Sequence, residues 1–241
     1  MHRESTARPS RSCAPLPDSG PLLKRTRSHF MKLGILGAGR VGGTLARALA
    51  GKGHEVIVGT PDPAKRAAAW QGPPVSHTTL EAAASAASFV IHATPGDTAL
   101  ETLTALREPL RGKVLLDVAN ATVRLPNGLP GGLCPPDSSL GEKLQEALPE
   151  TRVVKSLNTM LFTVMTAPGA LATPPTAFLG GNDPAAKEQV AVLLGELGWR
   201  PEWILDLGGI ETARATEALI LLVPHVIRRQ GLAPFAVSVV R

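Results

Sequence analysis

The stretch "GILGAGRVGG" places Gly37, Gly39 and Gly42 in the spacing G-x-G-x-x-G, after an apolar run and at the opening of a helical one. Glycines so spaced serve one chemistry. The first allows a tight turn, the second lets a pyrophosphate approach the backbone, and the third lets the helix pack close to the strand. The helix start then offers free N–H groups and a positive dipole end to the anion. Arg40 falls in the first helical turn, where a cation opposes the dipole unless an anion is bound nearby. The spacing alone is a weak signal, but between a strand and a helix it is a strong one.

Dinucleotide sites of this kind commonly carry an acid about 20 residues beyond the turn to hold a ribose diol. Here the second apolar run ends in "EVIVGTPDPAKR", residues 55 to 66, and the nearest acid is Asp62. Asp is a favoured N-cap and proline suits the first helical position, so Asp62 and Pro63 read instead as the start of a helix. The strand end is left with the Thr60 hydroxyl, and with Lys65 and Arg66 one helical turn later. A donor with cations suits a 2′-phosphate better than a bare diol, so the pattern favours NADP(H) over NAD(H).

Three groups could do proton work. His92, inside "FVIHAT", reads as a hydrogen-bonded core histidine ahead of a catalytic one. Lys155 stands three residues before Asn158, and the pair could polarise a carbonyl or imine. The competing reading is a strand-end lysine that packs its stem and keeps its head in water. Asp206 and Glu217 read as a structural loop and helix pair. Hydride transfer to a flavin-like ring needs none of these, because it asks the protein to align two planar rings and exclude water. No dedicated catalytic residue is therefore expected. The chain has no Tyr, which excludes the Tyr-Lys proton donor of short-chain dehydrogenases.

The elements that must position these residues alternate. "KLGILG" (32 to 37), "EVIVG" (55 to 59), "FVIHAT" (89 to 94) and "KVLLDV" (113 to 118) are aliphatic runs bounded by Gly, Pro or Asn, as buried parallel strands are. Between them Val41, Leu45, Ala48 and Leu49 share one helical face, as do Leu100, Leu103, Leu106 and Leu110. Ser139 and Glu142 form a capping box for a helix to about Leu148. "RVVKSL", "TAFLGG" and "WILDLG" supply further strands, with a helix over Pro184 to Leu197 capped by Asp183. A long apolar helix is expected from about Ile210, bent or ended by Pro224. The class is α/β: a Rossmann-type, doubly wound, mostly parallel sheet with a small C-terminal α/β extension. Residues 31–160 form the dinucleotide-binding part and residues 161–241 the small part.

"MKLGILGAGRVGGTLARALAGKGHEVIVGT", "KVLLDVANA", "RVVKSLNT" and "DLGGIETARATEAL", in that order, resemble the NADP oxidoreductases typified by the NADPH-dependent reductases of coenzyme F420, a deazaflavin. The resemblance covers almost all of residues 31 to 241. It implies that the C-terminal part closes over a cleft in which hydride passes directly between NADPH and a flavin or deazaflavin (F420, FMN or FAD). By position it implies that Gly37, Gly39, Arg40 and Val41 border the pyrophosphate, and Thr60 with Lys65 the 2′-phosphate. Thr94 and Pro95 would border the nicotinamide side, and Asn120, Asn158 and Thr159 would line the nicotinamide and acceptor cleft. Two departures stand out: Pro61 replaces an Arg common in NADP-binding members, and "ANATVRLPNG" replaces an apolar, Pro-rich stretch. Pyrroline-5-carboxylate reductases share a similar glycine turn and a "VV(K/R)…NT" segment, so reduction of a small imine or carbonyl is the alternative enzyme reading. A non-catalytic NADP(H)-binding redox sensor is the third.

Composition sets the outer bounds. The chain has 241 residues and a formal charge of +5, of which residues 1 to 30 carry +4, so the body presents no basic face for nucleic acid. That Pro-, Ser- and Arg-rich segment is expected to be disordered, and Met31 directly before the first strand suggests a start assigned too far upstream. Cys13 and Cys134 make neither a disulfide framework nor a metal pattern. "ALILLV", the longest apolar stretch, is too short to cross a membrane. A cytoplasmic homodimer acting on a small-molecule redox acceptor, with no metal and no membrane or nucleic-acid partner, is expected.

Overall fold

The computed structural model describes residues 30–240. The expectations for the N-terminal segment, Cys13 included, fall on residues outside these. The described residues open with β1 (Lys32–Leu36), α1 (Arg40–Gly51), β2 (Glu55–Gly59), α2 (Pro63–Ala68), β3 (Ser76–Thr78) and α3 (Leu80–Ala86). It continues through β4 (Phe89–His92), α4 (Ala99–Thr104), α5 (Arg107–Leu110) and β5 (Val114–Asp117). A hairpin of β6 (Thr122–Arg124) and β7 (Pro130–Leu133) precedes α6 (Leu140–Ala147), β8 (Arg152–Lys155) and the one-turn α7 (Phe162–Met165). The last elements are β9 (Ala177–Gly181), α8 (Pro184–Glu196), β10 (Ile204–Gly208), α9 (Ala213–Ala218) and α10 (Val223–Gln230).

Eight strands form one sheet in the order β10-β9-β8-β5-β4-β1-β2-β3, and all neighbours are parallel except β8 and β9. The C-terminal strands β9 and β10 thus extend the same sheet. Side chains alternate between its faces, and both faces are covered. Leu33, Ile35, Val56, Val58, Phe89 and Ile91 pack on the side of α1 and α8, while Leu36, Ile57, Val90 and Leu115 pack on the side of α3, α4 and α6. Burial on both faces explains why these strands are continuous apolar runs rather than alternating ones. Strand order reverses between β1 and β4, which opens a crevice beyond the carboxyl ends of those strands, where such sheets bind ligands.

Local signals set the helix starts. Asp62, Thr79, Ser139 and Asp183 each accept a hydrogen bond from the backbone N–H three residues on, and Pro63 and Pro184 sit in the first turns of α2 and α8. The expected long helix from Ile210 is instead a chain of short pieces: a 3-10 turn at Ile210–Thr212, α9, a second 3-10 turn at Leu219–Leu222, then α10. Pro224 lies in the first turn of α10, where its missing N–H costs nothing, so it opens a helix rather than ending one. Among the described residues no helix is long and apolar enough to cross a membrane, and no cluster of three His, Cys, Asp or Glu could hold a metal ion.

Candidate cofactor cleft

Gly37 leaves β1 with φ +113°, a conformation that L side chains rarely adopt, and its N–H donates to Gly59 O at 2.9 Å. Any Cβ there would meet the backbone of Ala93 and Thr94, so the ends of β1, β2 and β4 converge on this turn. A Cβ on Gly42 would run into Gly37 O, which is the close helix-to-strand packing that position requires. Gly39 is different: nothing lies within 4 Å of where its Cβ would be. It is the N-cap of α1, makes no side-chain cap, and precedes a first turn without an acid. The first N–H groups of α1 therefore face open space, which fits a phosphate approaching the backbone.

A cleft of about 570 Å³ opens over this turn. Gly37, Gly39, Arg40, Val41, Thr60, Arg66, Thr94 and Pro95 line it, together with Leu80, Thr98, Thr102 and Arg124. Asp62 accepts from Lys65 N–H at 3.1 Å and caps α2, so it is spent locally. Lys65 is exposed on α2 and does not line the cleft, whereas Arg66 does. Gly42 supports the turn from behind. Arg40 reaches across to α7, its guanidinium carbon 5.6 Å from the centre of the Phe162 ring. Arg124, on the hairpin, is held by Asp97, with Nε to Oδ2 at 3.1 Å. Sequence reasoning missed Arg124, Thr98 and Thr102, because neither the hairpin nor the start of α4 carries a motif. With three guanidinium groups on its walls, the cleft suits an anionic ligand.

Beneath the cleft lies a row of buried polar groups. His92, Asp117 and Lys155 end β4, β5 and β8, and the strand register sets His92 beside Asp117 and Asp117 beside Lys155. His92 Nδ1 is 2.7 Å from Asp117 Oδ1, and His92 Nε2 is 2.7 Å from Thr94 Oγ1. Lys155 Nζ donates to Asp117 Oδ2 at 2.8 Å, to Ala119 O, and to Glu217 Oε1 at 2.7 Å. Glu217 also accepts from Leu140 and Gly141 N–H at 2.9 and 3.0 Å, capping α6 from α9. Burial would raise the Asp117 carboxyl pKa, but the Lys155 charge and the bonds from His92 and Lys155 win and hold it well below the usual carboxylate range. Burial would likewise lower the Lys155 ammonium, but Asp117 and Glu217 outweigh it and raise the pKa. All three ammonium hydrogens have acceptors, so Lys155 keeps its head out of water and has none left to polarise a carbonyl or imine. Asp206 does not join Glu217; it pairs with Lys187 at 2.8 Å.

Asn120, Asn158 and Thr159 are not on the walls of this cleft. Asn120 Nδ2 donates to Asn158 O at 2.7 Å and Asn158 Nδ2 to Asn120 Oδ1 at 3.0 Å, which clips the loop after β5 to the loop after β8. Asn158 Oδ1 and Thr159 Oγ1 are buried without a hydrogen-bond partner. Asn158 and Thr159 line a second cavity, of about 260 Å³, with Met160, Val223, Val226 and Phe235 among its apolar walls. Buried polar atoms left unpaired are costly, and a ligand that supplies their partners would remove that cost.

Comparison with known proteins adds an independent line. The family model for "NADP oxidoreductase coenzyme F420-dependent" matches residues 32–121. The F420-dependent NADP reductase of Methanocaldococcus jannaschii is 31% identical over 208 residues, spanning 78% of this chain and 89% of that protein. The metalloreductase STEAP3 of Rattus norvegicus is 29% identical over 208 residues, spanning 86% of this chain but only 40% of that protein. A crystal structure from Arthrobacter sp. FB24, provisionally named an F420-dependent NADP reductase, superposes with a TM-score of 0.78 at 40% identity, covering 88% of this chain and all of that one.

Proposed function

Because this chain belongs to the F420-dependent NADP oxidoreductase family and is an NADP(H)-dependent oxidoreductase, we propose that it passes a hydride between NADPH and a flavin or deazaflavin acceptor. The observation that carries the donor half is the cleft itself: an uncapped α1 start, open space at Gly39, and Arg40 and Arg66 on the walls, with no acid at the end of β2. Residues 31–160 would hold the dinucleotide and residues 161–241 would complete the acceptor site.

When bound, NADPH supplies the hydride and the acceptor ring receives it. The N–H groups opening α1, with Gly37, Gly39 and Val41, would hold the pyrophosphate, and Arg40 would add charge to it. Thr60 and Arg66 would take the 2′-phosphate, and Arg66 stands in for the cation that Pro61 replaces. Thr94 and Pro95 would border the nicotinamide. The unpaired Asn158 Oδ1 and Thr159 Oγ1 offer polar anchors in an otherwise apolar cavity, which suits a planar ring with a few amide groups. No side chain needs to act as acid or base for the hydride step, and the saturated Lys155 argues against the imine reading.

Anaerobic mixing of NADPH with F420, FMN, FAD and a cyclic imine in turn tests this. Oxidation of NADPH by a deazaflavin or flavin is expected. Turnover of the imine with none of the flavins active would replace the proposal, and tight NADPH binding without any turnover would favour a sensor.

A further inference from the structure

The polar row beneath the cleft reaches the ligand side through a single hydroxyl. The Asp117 carboxylate can only accept, so the hydrogen between it and His92 sits on Nδ1. The His92 ring has no solvent contact, and an added charge buried there would be costly. Lys155 offsets Asp117, and the second carboxylate, Glu217, is stabilised by the two N–H groups that open α6 as well as by Lys155. A neutral imidazole with its hydrogen on Nδ1 presents only a lone pair at Nε2. Thr94 Oγ1 lies 2.7 Å from that lone pair, so the Thr94 hydroxyl donates to it. Its one hydrogen is then used, and what it has left to turn toward the cleft it lines is a lone pair.

We propose that Asp117 and His92 fix Thr94 as an obligate hydrogen-bond acceptor in the cofactor cleft, selecting a ligand that offers an amide or hydroxyl donor there. The inference rests on the NADP(H) reading, in which the end of β4 borders the nicotinamide half, whose carboxamide and ribose supply such donors. Thr94 touches the cofactor; His92 and Asp117 are positioning residues that set its polarity. Threonine without this arrangement could turn either way and would discriminate less.

Calorimetric titration of the full chain tests the inference, with NADPH and with adenosine 2′,5′-bisphosphate, which carries only the adenosine half. Thr94→Val should weaken NADPH binding about two- to tenfold, the worth of one neutral hydrogen bond, and leave the bisphosphate unchanged. Thr94→Ser should bind both like the wild type. In parallel, long-range 1H–15N correlation of the His92 ring in the wild type should show the neutral Nδ1–H tautomer. Wild-type NADPH affinity in Thr94→Val, or an Nε2–H or imidazolium signature at His92, would overturn the inference. Wild-type protein that fails to bind NADPH would overturn the cofactor reading and the inference with it, and the unmutated titration separates that case from the others.

Discussion

Lys155→Met removes the cation that pairs with two buried carboxylates, Asp117 and Glu217, while nearly preserving side-chain length. Lys155 and both its partners are essentially without solvent contact, so water cannot replace the lost charge. Breaking a buried pair in this way costs about 3 to 5 kcal/mol. Against a typical total of about 5 to 15 kcal/mol, the variant should fold but be much weakened. A chain of this size loses about 2 to 4 °C of Tm per kcal/mol, so thermal unfolding should fall by roughly 6 to 20 °C. The sign of the pH dependence follows from the carboxyl. In the wild type the folded pKa of Asp117 is depressed, so its stabilisation is present above the ordinary value near 3.8 and is lost as pH falls through the lower folded value. In Lys155→Met burial acts unopposed by that charge, the folded pKa moves upward, and the folded state takes up protons first on acidification. The deficit relative to wild type should therefore be largest near neutrality and narrow towards pH 4 to 5. Differential scanning calorimetry of both proteins across that range is the assay, with Lys143→Met, half-exposed and ion-paired to Glu146 at the surface, as a control expected to change stability by less than about 1 kcal/mol. A loss below about 1 kcal/mol, or a deficit that widens in acid, would mean that Lys155 does not carry the charge balance of this buried row.

Gly39→Val should leave the Tm near wild type, since nothing crowds that position, yet weaken dinucleotide binding more than about tenfold by blocking the phosphate approach; fluorescence titration with a Tm control reads both. Gly42→Ala should instead lower the Tm along with binding, because its Cβ would displace the Gly37 carbonyl. Arg66→Ala should narrow the preference for NADPH over NADH about tenfold or more, if its bond to the 2′-phosphate is charge-assisted. Lys65→Ala, off the cleft wall, should change that ratio far less, and equal effects would show that the assignment of cations is wrong.

The strands that build the cleft were legible because β1, β2, β4 and β5 are buried on both faces and so appear as unbroken apolar runs. β3 was not: three residues, Ser76–Thr78, half-exposed at a sheet edge carry no such run. Nor was the β6 and β7 hairpin, since β6 is only three residues long and β7 is mostly proline and glycine, so Arg124 came to the cleft unannounced. The break at Leu219–Leu222 had no punctuating residue before Pro224, and an apolar stretch does not tell a 3-10 turn from a helix. Asp62 as a cap was readable because capping is local. The row of His92, Asp117 and Lys155 was not, because residues 25 and 38 positions apart meet only once strand order and register are known. The same limit applied to Lys65 and Arg66: spacing put both one turn beyond Thr60, and only the path of α2 decided which one faces the cleft.

Direct hydride passage between NADPH and a flavin or deazaflavin at this cleft can be followed with an isotope. NADPH deuterated at nicotinamide C4, on each face in turn, should be mixed anaerobically with the protein and F420, and the reduced deazaflavin examined by mass spectrometry. One of the two labels should appear quantitatively in the product, with no exchange into water. Reduced product without deuterium from either face would contradict it, as would the absence of any reduction with F420, FMN and FAD alike.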